Sequence, residues 1–442
     1  MKLKDSGISW INNIPENWNI KKIKYTLQTR NENNKPIKSK DILSLTAKQG
    51  VIPLDEKEGG GNKPKEDYSA YKLAYPGDIV MNSMNVLSGA VGLSKYFGCV
   101  SPVYYLLRPI KKEDDVRFFN YIFQTTVFQK SLLGLGNGIL MKESDNGKLN
   151  TIRMRIPMDK LGNLYIPVPD SYTQKRIADY LDEIIPEINE LINDIESQIS
   201  TLEEYKKSVI TEKVTKGMNP QVKMKESGVD EIGMIPEHWN IKRAKYVCDS
   251  LSKGNGITKD DVIEGGDIQC VRYGEIYSKY DEAFIECFSR TDIDRIASPK
   301  HIVKGDILFA GTGELIEEIG KNVVYMGDEP CLAGGDIIIM KHSQNPIFLN
   351  YAMNCSCSQS QKSKGKTKLK VVHISATDIG NVKIALPPIE EQEKIGNLLI
   401  SICHEVNEAI KGKREQILIL EEYKKNVIYE VVTGKKEVPS NA

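Results

Sequence analysis

The chain has 442 residues, and its 60 lysines and arginines balance its 60 aspartates and glutamates, so the formal net charge at pH 7 is zero. This balance excludes a global field that attracts nucleic acid or a membrane surface, so any nucleic-acid surface must be local. The segment Met1 to Ile20 lacks the apolar stretch of a signal peptide, and no run approaches the ~18 apolar residues of a membrane span, so we expect a cytoplasmic protein.

The first element along the chain is a signature between Ser6 and Tyr25 that contains Ser-Gly, Ile-Pro-Glu, Trp-Asn-Ile-Lys and Lys-Tyr. The same groups return at the same spacing between Ser227 and Tyr246. A later segment that begins at Gln174 returns from Gln392 onward. The two offsets, 221 and 218 residues, are nearly equal and indicate a tandem duplication of order A-B-A′-B′. The fold should therefore consist of two similar halves.

The interior of the first half, residues 26–165, contains short apolar runs bounded by turn residues. These runs predict strands at Asp41 to Thr46, Gly77 to Met81 and Val103 to Leu107. A globular α+β domain rich in strands and loops is the expected result.

Polar and basic side chains in this interior are candidates for nucleic-acid contacts. Amides and hydroxyls can pair with base edges, and cations can contact phosphates. The candidates for base edges are Asn82, Ser83 and Asn85, directly after a predicted strand. The cations that precede the next element are Lys142, Lys148, Arg153 and Arg155.

The segment from Gln174 to Val214 carries a heptad stripe, which predicts a long helix with an apolar seam for a partner helix. Roughly 40 residues at about 1.5 Å each make a rod of about 60 Å. A helix that simply lies on a globular core is the alternative. The stripe comprises Ile177, Leu181, Ile184, Ile188, Leu191, Ile195, Leu202, Tyr205 and Val209, and the candidate docking set adds Gln174 and Gln198.

Prolines mark the entry and the interior of this helix. Pro167 and Pro169 lie just before it, where proline is tolerated and fixes the direction of the chain. Pro186 lies within the stripe, where proline removes a backbone hydrogen bond, so we expect a kink or a local break there.

The second interior, residues 247–383, predicts strands at Ile268 to Val271, Gly305 to Phe309 and Asp336 to Met340. Gly-Asp-Ile precedes a strand in both halves, at Gly77 and at Gly305. The candidates for nucleic-acid contacts in this interior are Lys253, Asn255, Arg272 and Tyr273.

A row of alternating lysines follows, at Lys362, Lys364, Lys366, Lys368 and Lys370. In an extended segment all five ammonium groups would point to one side over about 26 Å and could follow a phosphate backbone. A solvated, flexible lysine loop is the alternative.

The second heptad stripe repeats the first and predicts a second long helix, entered through Pro387 and Pro388. Its residues are Ile395, Leu399, Ile402, Val406, Ala409, Leu420, Tyr423 and Val427, and the docking set adds Gln392 and Gln416. Lys413 does not fit the stripe. Gln198 and Gln416 occupy matching places, where they either fix the register or face water.

The two interiors are hard to align although their ends are alike. This pattern favours a scaffold that does one job twice while its middles address different targets, and drift in surface loops is the alternative. The eight cysteines contain no C-x-x-C pair and predict reduced, mostly buried thiols.

No catalytic constellation is present. Gly311-Thr312-Gly313 has the wrong spacing for a dinucleotide fingerprint, and Gly365-Lys366-Thr367 lacks the glycine that a phosphate loop needs at Ser360. We therefore expect no active site and no metal or cofactor in this chain.

These features together resemble the specificity subunits of type I restriction-modification systems, over essentially the whole length. The residues that carry the resemblance are Ile14-Pro15-Glu16 with Trp18, Ile235-Pro236-Glu237 with Trp239, Gly77 to Asn82 with Ser101 to Tyr105, Gly305 to Leu308, and Pro387-Pro388 with Glu391-Gln392. The first helix entry departs from this pattern, since Tyr172-Thr173-Gln174 stands where the second has Glu390-Glu391-Gln392.

The resemblance implies a non-catalytic DNA reader with an α+β fold. In that family two strand-rich target-recognition domains are separated by two long antiparallel coiled-coil helices in a pseudo-twofold internal repeat. Each domain reads one half of a bipartite, asymmetric site in double-stranded DNA, and the helix length sets the gap. Two methyltransferase subunits dock on this frame, and restriction and translocation subunits can join. S-adenosylmethionine, ATP and Mg²⁺ are then expected in the partners.

On this basis we expect recognition domains at residues 1–168 and 218–386, spacer helices at 169–217 and 387–434, and a tail at 435–442. Two other functions remain open. One is the recognition subunit of a two-subunit system whose partner fuses nuclease and methyltransferase. The other is a coiled-coil interaction scaffold without nucleic acid, which the zero net charge also permits.

Overall fold

The computed structural model describes residues 2–46, 49–57, 64, 66–138, 154–366 and 371–439. The chain forms two compact units: unit 1 comprises Met1–Ile195 and Glu415–Ala442, and unit 2 comprises Glu196–Arg414. Two long helices, Ser171–Lys216 and Ile389–Val432, contribute residues to both units. We call them the first and the second long helix. The α+β class, the two similar halves and the long helices are confirmed.

Unit 1 is built mainly from short strands. They are Leu3–Asp5, Asn13–Pro15, Asn19–Lys22, Leu27–Thr29, Leu43–Thr46, Gly50–Pro53, Lys72–Ala74, Ile79–Asn82, Val91–Leu93, Gly98–Val100, Tyr104–Pro109, Asn137–Gly138, Met154–Arg155 and Tyr165–Val168. Its shorter helices are Val116–Gln124, Thr126–Ser131 and Met158–Gly162. The largest sheet is antiparallel and runs in the order Leu27–Thr29, Tyr104–Pro109, Ile79–Asn82, Val91–Leu93.

The core of unit 1 combines aromatic side chains with residues from both long helices. Phe118 and Phe128 are fully buried beside the sheet residue Ile79. Leu181 of the first long helix and Val431 of the second belong to the same cluster. The last turns of the second long helix therefore complete the core of unit 1, which also contains the N-terminal residues of the chain.

Among the described residues, unit 2 contains more sheet than unit 1. Its strands are Met224–Glu226, Met234–Pro236, Asn240–Arg243, Cys248–Lys253, Ile268–Val271, Ala283–Phe284, Ser289–Thr291, His301–Ile302, Ile307–Ala310, Thr312–Gly313, Asn322–Tyr325, Cys331–Ala333, Ile337–His342, Val372–His373 and Lys383–Leu386. Its shorter helices are Tyr273–Ser278, Pro346–Asn354, Ser356–Ser363 and Ala376–Asn381.

Two sheets organise these strands. One has the order Cys248–Lys253, Ile337–His342, Ile307–Ala310, Asn322–Tyr325, Ala283–Phe284, and only its last pair is parallel. The other has the order Ser289–Thr291, Ile268–Val271, Cys331–Ala333, His301–Ile302, with its central pair parallel. Among the described residues of unit 1, the strands outside its four-stranded sheet form only two-stranded pairs. The interiors thus differ in topology as well as in sequence.

The long helices run antiparallel within each unit. In unit 1, Lys424 donates a hydrogen bond from Nζ to Oδ1 of Asn189 at 2.6 Å. In unit 2, Lys206 donates in the same way to Asn407 at 2.9 Å, and Arg414 pairs with Glu203 at 3.2 Å. The two helices therefore pack on each other, as the heptad stripes predict.

The apolar stripes are buried near the helix entries and exposed toward their middles. Leu181 and Leu399 are fully buried, and Ile177, Ile188, Ile395 and Val406 are nearly so. Ile184, Leu202, Ile402 and Leu420 are half-buried, whereas Leu191, Tyr205, Tyr423, Gln198 and Gln416 are exposed. Gln198 accepts a hydrogen bond from Lys413, so the residue that breaks the second stripe pairs with the polar residue that interrupts the first.

Pro186 does not break the first long helix, which continues from Ser171 to Lys216 with the proline inside. The expected local break is wrong, and the expected kink stays a prediction. All eight cysteines are free thiols, and six of them are buried, in keeping with the expectation of reduced thiols.

Candidate nucleic-acid interface

The repeated Gly-Asp-Ile sequence forms the same turn in both units. Gly77 and Gly305 have φ angles of +85° and +92°, which favour glycine. The following aspartate accepts a hydrogen bond through Oδ2 from the backbone N–H three residues earlier, at 2.9 Å in each case: Asp78 from Tyr75 and Asp306 from Val303. The motif is therefore a structural turn before a central strand.

A second shared element is a short helix whose sequence also repeats between the two halves. Phe118, Asn120 and Tyr121 recur as Phe348, Asn350 and Tyr351, each on a nine-residue helix. The caps of these helices also match, since Asp115 and Asn345 occupy the N-cap positions. The matching residues of the two helices are 230 residues apart, so only an alignment at that offset, rather than at 221 or 218, shows the repeat.

The entry glutamines of the long helices bind their own domains. Gln174 is fully buried, accepts a hydrogen bond from the backbone N–H of Asp115 at 3.0 Å and donates to the Pro169 carbonyl at 3.0 Å. Gln392 is equally buried, accepts from the N–H of Asn345 at 3.1 Å and donates to the Pro387 carbonyl at 3.0 Å. Each amide therefore fixes a helix to its own unit, and a role of these glutamines in partner docking stays a prediction.

In unit 1 the predicted base-contacting group divides into buried and exposed residues. Ser83 is fully buried and donates from Oγ to the Val103 carbonyl at 3.0 Å, so its hydroxyl is not accessible to a base. Asn82 is half-buried and accepts from the Met84 N–H at 3.0 Å, and Asn85 is exposed. Lys142, Lys148 and Arg153 lie outside the described residues.

Two cations meet beside this group, and one of them was not predicted. Lys72 donates from Nζ to the Tyr104 carbonyl at 3.1 Å, and Tyr104 pairs with Asn82 in the sheet. Burial and the nearby charge of the exposed Arg155 lower the pKa of Lys72. The sequence carries no signal for Lys72, because its position depends on how distant strands pair.

In unit 2 the two backbone segments that carry the four predicted residues of the second interior meet. The backbone N–H of Asn255 donates to the Ala333 carbonyl at 3.1 Å, and the N–H of Gly334 donates to the Val271 carbonyl at 2.8 Å. The loop that follows Lys253 and the segment around Arg272, the N-cap of the helix that begins at Tyr273, therefore flank the same two glycines, Gly334 and Gly335. A Cβ atom added to Gly254 would lie 2.1 Å from the Gly334 carbonyl oxygen, so the backbones meet only because the side chain is absent.

These four residues differ in how free they are. Arg272 donates twice to Glu275 Oε1, at 2.9 and 2.8 Å, and the Asn255 amide donates to the Ser298 carbonyl at 2.9 Å, so both are engaged. Tyr273 is exposed, and Lys253 is exposed beside Asp336 at 3.4 Å. Lys300, which the sequence did not indicate, lies next to the strand Cys331–Ala333, since its carbonyl accepts a hydrogen bond from the Ala333 N–H at 3.0 Å. Its side chain is exposed.

The predicted extended lysine row is wrong over its first three residues. Lys362 lies on the helix Ser356–Ser363, only 2% exposed, and donates to the Gly320 carbonyl at 2.7 Å. Lys364 caps that helix and pairs with Glu231 at 2.9 Å, and Lys366 pairs with Asp378 at 3.0 Å. The prediction of a one-sided row assumed an extended segment, whereas Lys362 lies on a helix and Lys364 at its C-cap, so their side chains do not alternate as in a strand. Lys368 and Lys370 lie outside the described residues.

The described part of the chain holds no group of three or more His, Cys, Asp or Glu side chains placed to bind a metal ion. No helix in that part is long and apolar enough to cross a membrane.

Comparisons with known proteins place these features in a family. The family model described as "Type I restriction modification DNA specificity domain" matches residues 15–201 and 236–418, one match in each half. The chain is 28% identical over 282 residues to the type I restriction enzyme MjaVIII specificity subunit of Methanocaldococcus jannaschii, covering 62% of this chain and 63% of that protein. It is 24% identical over 449 residues to the putative type I restriction enzyme MjaX specificity subunit of the same organism, covering 97% and 96% of the two chains.

A solved structure supports the fold. A chain from work on complex assembly and conformational transition of the type I R-M system superposes with a TM-score of 0.68 at 16% identity, over 96% of this chain and 99% of that one. Since the family model covers most of the sequence in two copies, the chain belongs to the type I restriction-modification DNA specificity family.

Proposed function

We propose that this chain is the DNA sequence-specificity subunit of a type I restriction-modification complex and that its two units read different halves of a bipartite, asymmetric target. The observation that carries the proposal is a shared frame around unlike interiors. The Gly-Asp turn, the buried helix-entry glutamine and the nine-residue helix occur in both units. The sheets that they support differ. A frame that both units keep is suited to docking the same partner twice, and interiors that differ are suited to recognising two different targets.

In this proposal, partner subunits carry out DNA methylation and cleavage. We infer that two methyltransferase subunits methylate adenine with S-adenosylmethionine and that restriction subunits cleave DNA with ATP and Mg²⁺. The absence of catalytic motifs in the sequence supports this division. In this chain, the exposed Lys253, Tyr273 and Lys300 of unit 2 and Arg155 of unit 1 are the proposed DNA contacts.

Exchange of one interior tests the proposal. Residues 26–165 are replaced by the corresponding segment of another specificity subunit, and methylated adenines are mapped across the genome of cells that carry the whole operon. One half of the methylated motif should change and the other half should stay. Exchange of residues 247–383 is the matched control and should change the opposite half. An unchanged motif in both chimaeras would refute sequence reading by these interiors.

A salt titration separates the DNA reader from a scaffold without nucleic acid. A reader that neutralises several phosphates loses affinity steeply with salt, with a slope of about −0.9 per contact. The assembled complex should therefore bind target DNA at low salt with a strongly negative slope. An assembled complex without DNA affinity at low salt would favour the scaffold. The order of neighbouring genes then distinguishes separate partners from one fused nuclease-methyltransferase.

A further inference from the structure

The signature tryptophan of unit 2 is held by a carboxylate from the start of the second long helix. Trp239 is fully buried, and its indole Nε1 donates to Glu391 Oε2 at 2.9 Å. The other oxygen of the same carboxylate lies 2.7 Å from Nε2 of His238. One acidic side chain therefore satisfies two neighbouring nitrogen groups.

Unit 1 keeps the tryptophan and lacks the carboxylate. Trp18 occupies the matching place and is only 5% exposed. A Cβ atom added to Gly434 would lie 3.1 Å from its ring, as one added to Gly217 would lie 3.1 Å from the ring of Trp239. Thr173 stands where the second helix has Glu391, and its hydroxyl donates to Asp170 at 2.8 Å. Among the residues that the structure describes, the indole Nε1 of Trp18 has no hydrogen-bond acceptor, whereas Trp239 has one. That N–H is not one of the described side-chain polar atoms that are buried without a partner, so it is accessible from outside the core.

A cavity of about 530 Å³ occupies the place next to this indole. It lies wholly within unit 1 and is formed by the signature, the start of the first long helix and the residues after the second. Its polar lining comprises Asn17, Thr173, Arg176, Lys2 and Lys436, with Glu16 and Glu437 also at its wall. Three cations against two carboxylates leave a net positive lining, and Asn17 stands where unit 2 has His238. The cavity therefore offers an indole N–H and a side-chain amide where unit 2 has an indole N–H and an imidazole, and its own lining is net positive.

We propose that this cavity binds a carboxylate group supplied by another molecule, which accepts the Trp18 indole hydrogen bond as Glu391 accepts that of Trp239. The carboxylate belongs either to a free organic acid or to an acidic side chain of a partner protein, since both offer the same acceptor. Charge-assisted hydrogen bonds from Lys2 and Lys436 would strengthen the contact. Arg176 already donates from Nη2 to the carbonyls of Val438 and Pro439, at 3.1 and 3.0 Å, and contributes its charge. The inference concerns unit 1 alone and does not depend on DNA recognition.

Indole NMR tests the site in the full chain. Trp10, Trp18 and Trp239 are the three tryptophans, so a protein labelled with ¹⁵N at the indole gives three side-chain N–H signals. Sodium acetate should move, saturably, only the signal that disappears in Trp18→Phe. Sodium chloride at equal ionic strength is the control. If a capped Gly-Glu-Gly peptide saturates the signal at a lower concentration than acetate does, the natural carboxylate belongs to a protein side chain. If acetate saturates it at the lower concentration, the natural ligand is a free acid.

Substitutions of Thr173 make the test specific. Thr173→Glu supplies the acid that unit 2 already has, so the Trp18 signal should move without any ligand and should then ignore acetate. Glutamate is well tolerated at this helical position, because the first turn favours negative charge. Thr173→Ser is the matched control and should keep the acetate response.

Three results would overturn the proposal. The first is a Trp18 signal that moves equally with acetate and chloride or with neither. The second is a response to inorganic phosphate without a response to acetate. The third is a ligand-free movement in Glu437→Gln, which would mean that the chain's own Glu437 already fills the site.

Discussion

At the residue scale, Lys362 is a buried cation in unit 2 that donates its hydrogen bond to a backbone carbonyl. Its ammonium lies 2.7 Å from the Gly320 carbonyl oxygen and 5.9 Å from the centre of the Phe309 ring. Burial lowers the pKa of Lys362 to about 7. The sequence could not predict this, because alternation of lysines carries no information on which of them faces a core.

The pH dependence of stability should report this lysine. In the unfolded chain a lysine has a pKa near 10.4, so between about pH 7 and pH 10 the unfolded state binds more protons than the folded state. The free energy of unfolding therefore rises with pH in that window, by at most about 1.4 kcal/mol per pH unit from this group. Urea unfolding at pH 7 and pH 9 should show a smaller rise in Lys362→Met than in the parent.

Lys364→Met is the control for that measurement. Lys364 is exposed, and its hydrogen bond with Glu231 raises its pKa rather than lowering it. Removal of Lys364 should leave the rise between pH 7 and pH 9 intact. A rise that is equal in Lys362→Met and in the parent would contradict the assignment.

The helix-entry glutamines give a second prediction at this scale. Gln392→Ala leaves the N–H of Asn345 and the carbonyl of Pro387 without a partner, so the free energy of unfolding should fall by about 1–3 kcal/mol. Gln416→Ala removes an exposed glutamine from the same helix and should change stability by less than about 0.5 kcal/mol. Denaturant titration compares the two variants, and equal losses would argue against the hydrogen-bonded role of Gln392.

At the scale of elements, sequence patterns were informative where periodicity and burial agree. The strand predicted at Ile268 to Val271 has those bounds in the structure, and the strand predicted at Gly305 to Phe309 begins two residues later because Gly305 and Asp306 form the turn. The heptad stripes predicted both long helices. The second sheet of unit 2 was not predicted, because its central parallel pair joins Ile268–Val271 to Cys331–Ala333 across a long stretch of chain.

The same scale shows which of the polar candidates are exposed. Residue type alone indicated Lys253 and Tyr273, and both are exposed beside backbone segments that meet at Gly334. Ser83 was chosen on the same basis and is buried. Residue type identifies what a side chain can do, whereas strand pairing decides whether it is exposed.

An exposed apolar pair on the second long helix predicts a partner contact. Leu418 and Ile419 are 64% and 65% exposed. Burial of such side chains in a complex contributes about 1.5–3 kcal/mol each. If this face docks the proposed methyltransferase subunit, the double substitution Leu418→Ser and Ile419→Ser should weaken that binding at least about tenfold without lowering the melting temperature of the free chain.

Titration of the purified chain with the methyltransferase subunit measures this effect. Glu421→Ser with Glu422→Ser is the matched control, since it changes two exposed polar residues of the same helix. An affinity that the apolar double variant leaves unchanged would place the partner elsewhere.

At the scale of the whole molecule, the long helices carry the proposed spacing function. Insertion of one heptad into both helices, after Gln198 and after Gln416, keeps each stripe in phase. It adds about 10 Å of helix at about 1.5 Å per residue. The gap in the methylated motif should lengthen by roughly three base pairs, given about 3.4 Å per base pair.

Genome-wide methylation mapping measures the gap. The control replaces seven residues at each place with the same heptad, so the sequence changes while the length does not, and its gap should stay. A longer pair of helices with the original gap would contradict the spacer role.

Unit 2 is one continuous stretch of chain, whereas unit 1 closes its core with side chains from the last helix, among them Val427 and Val431. A ribosome therefore delivers everything that unit 2 needs before it delivers the final pieces of unit 1. The segment made first must wait for the segment made last, with its apolar surface uncovered for nearly the whole of synthesis. Premature termination just before Val427 would leave unit 2 complete. Unit 1 would lack part of its core and would be the part that chaperones and proteases engage.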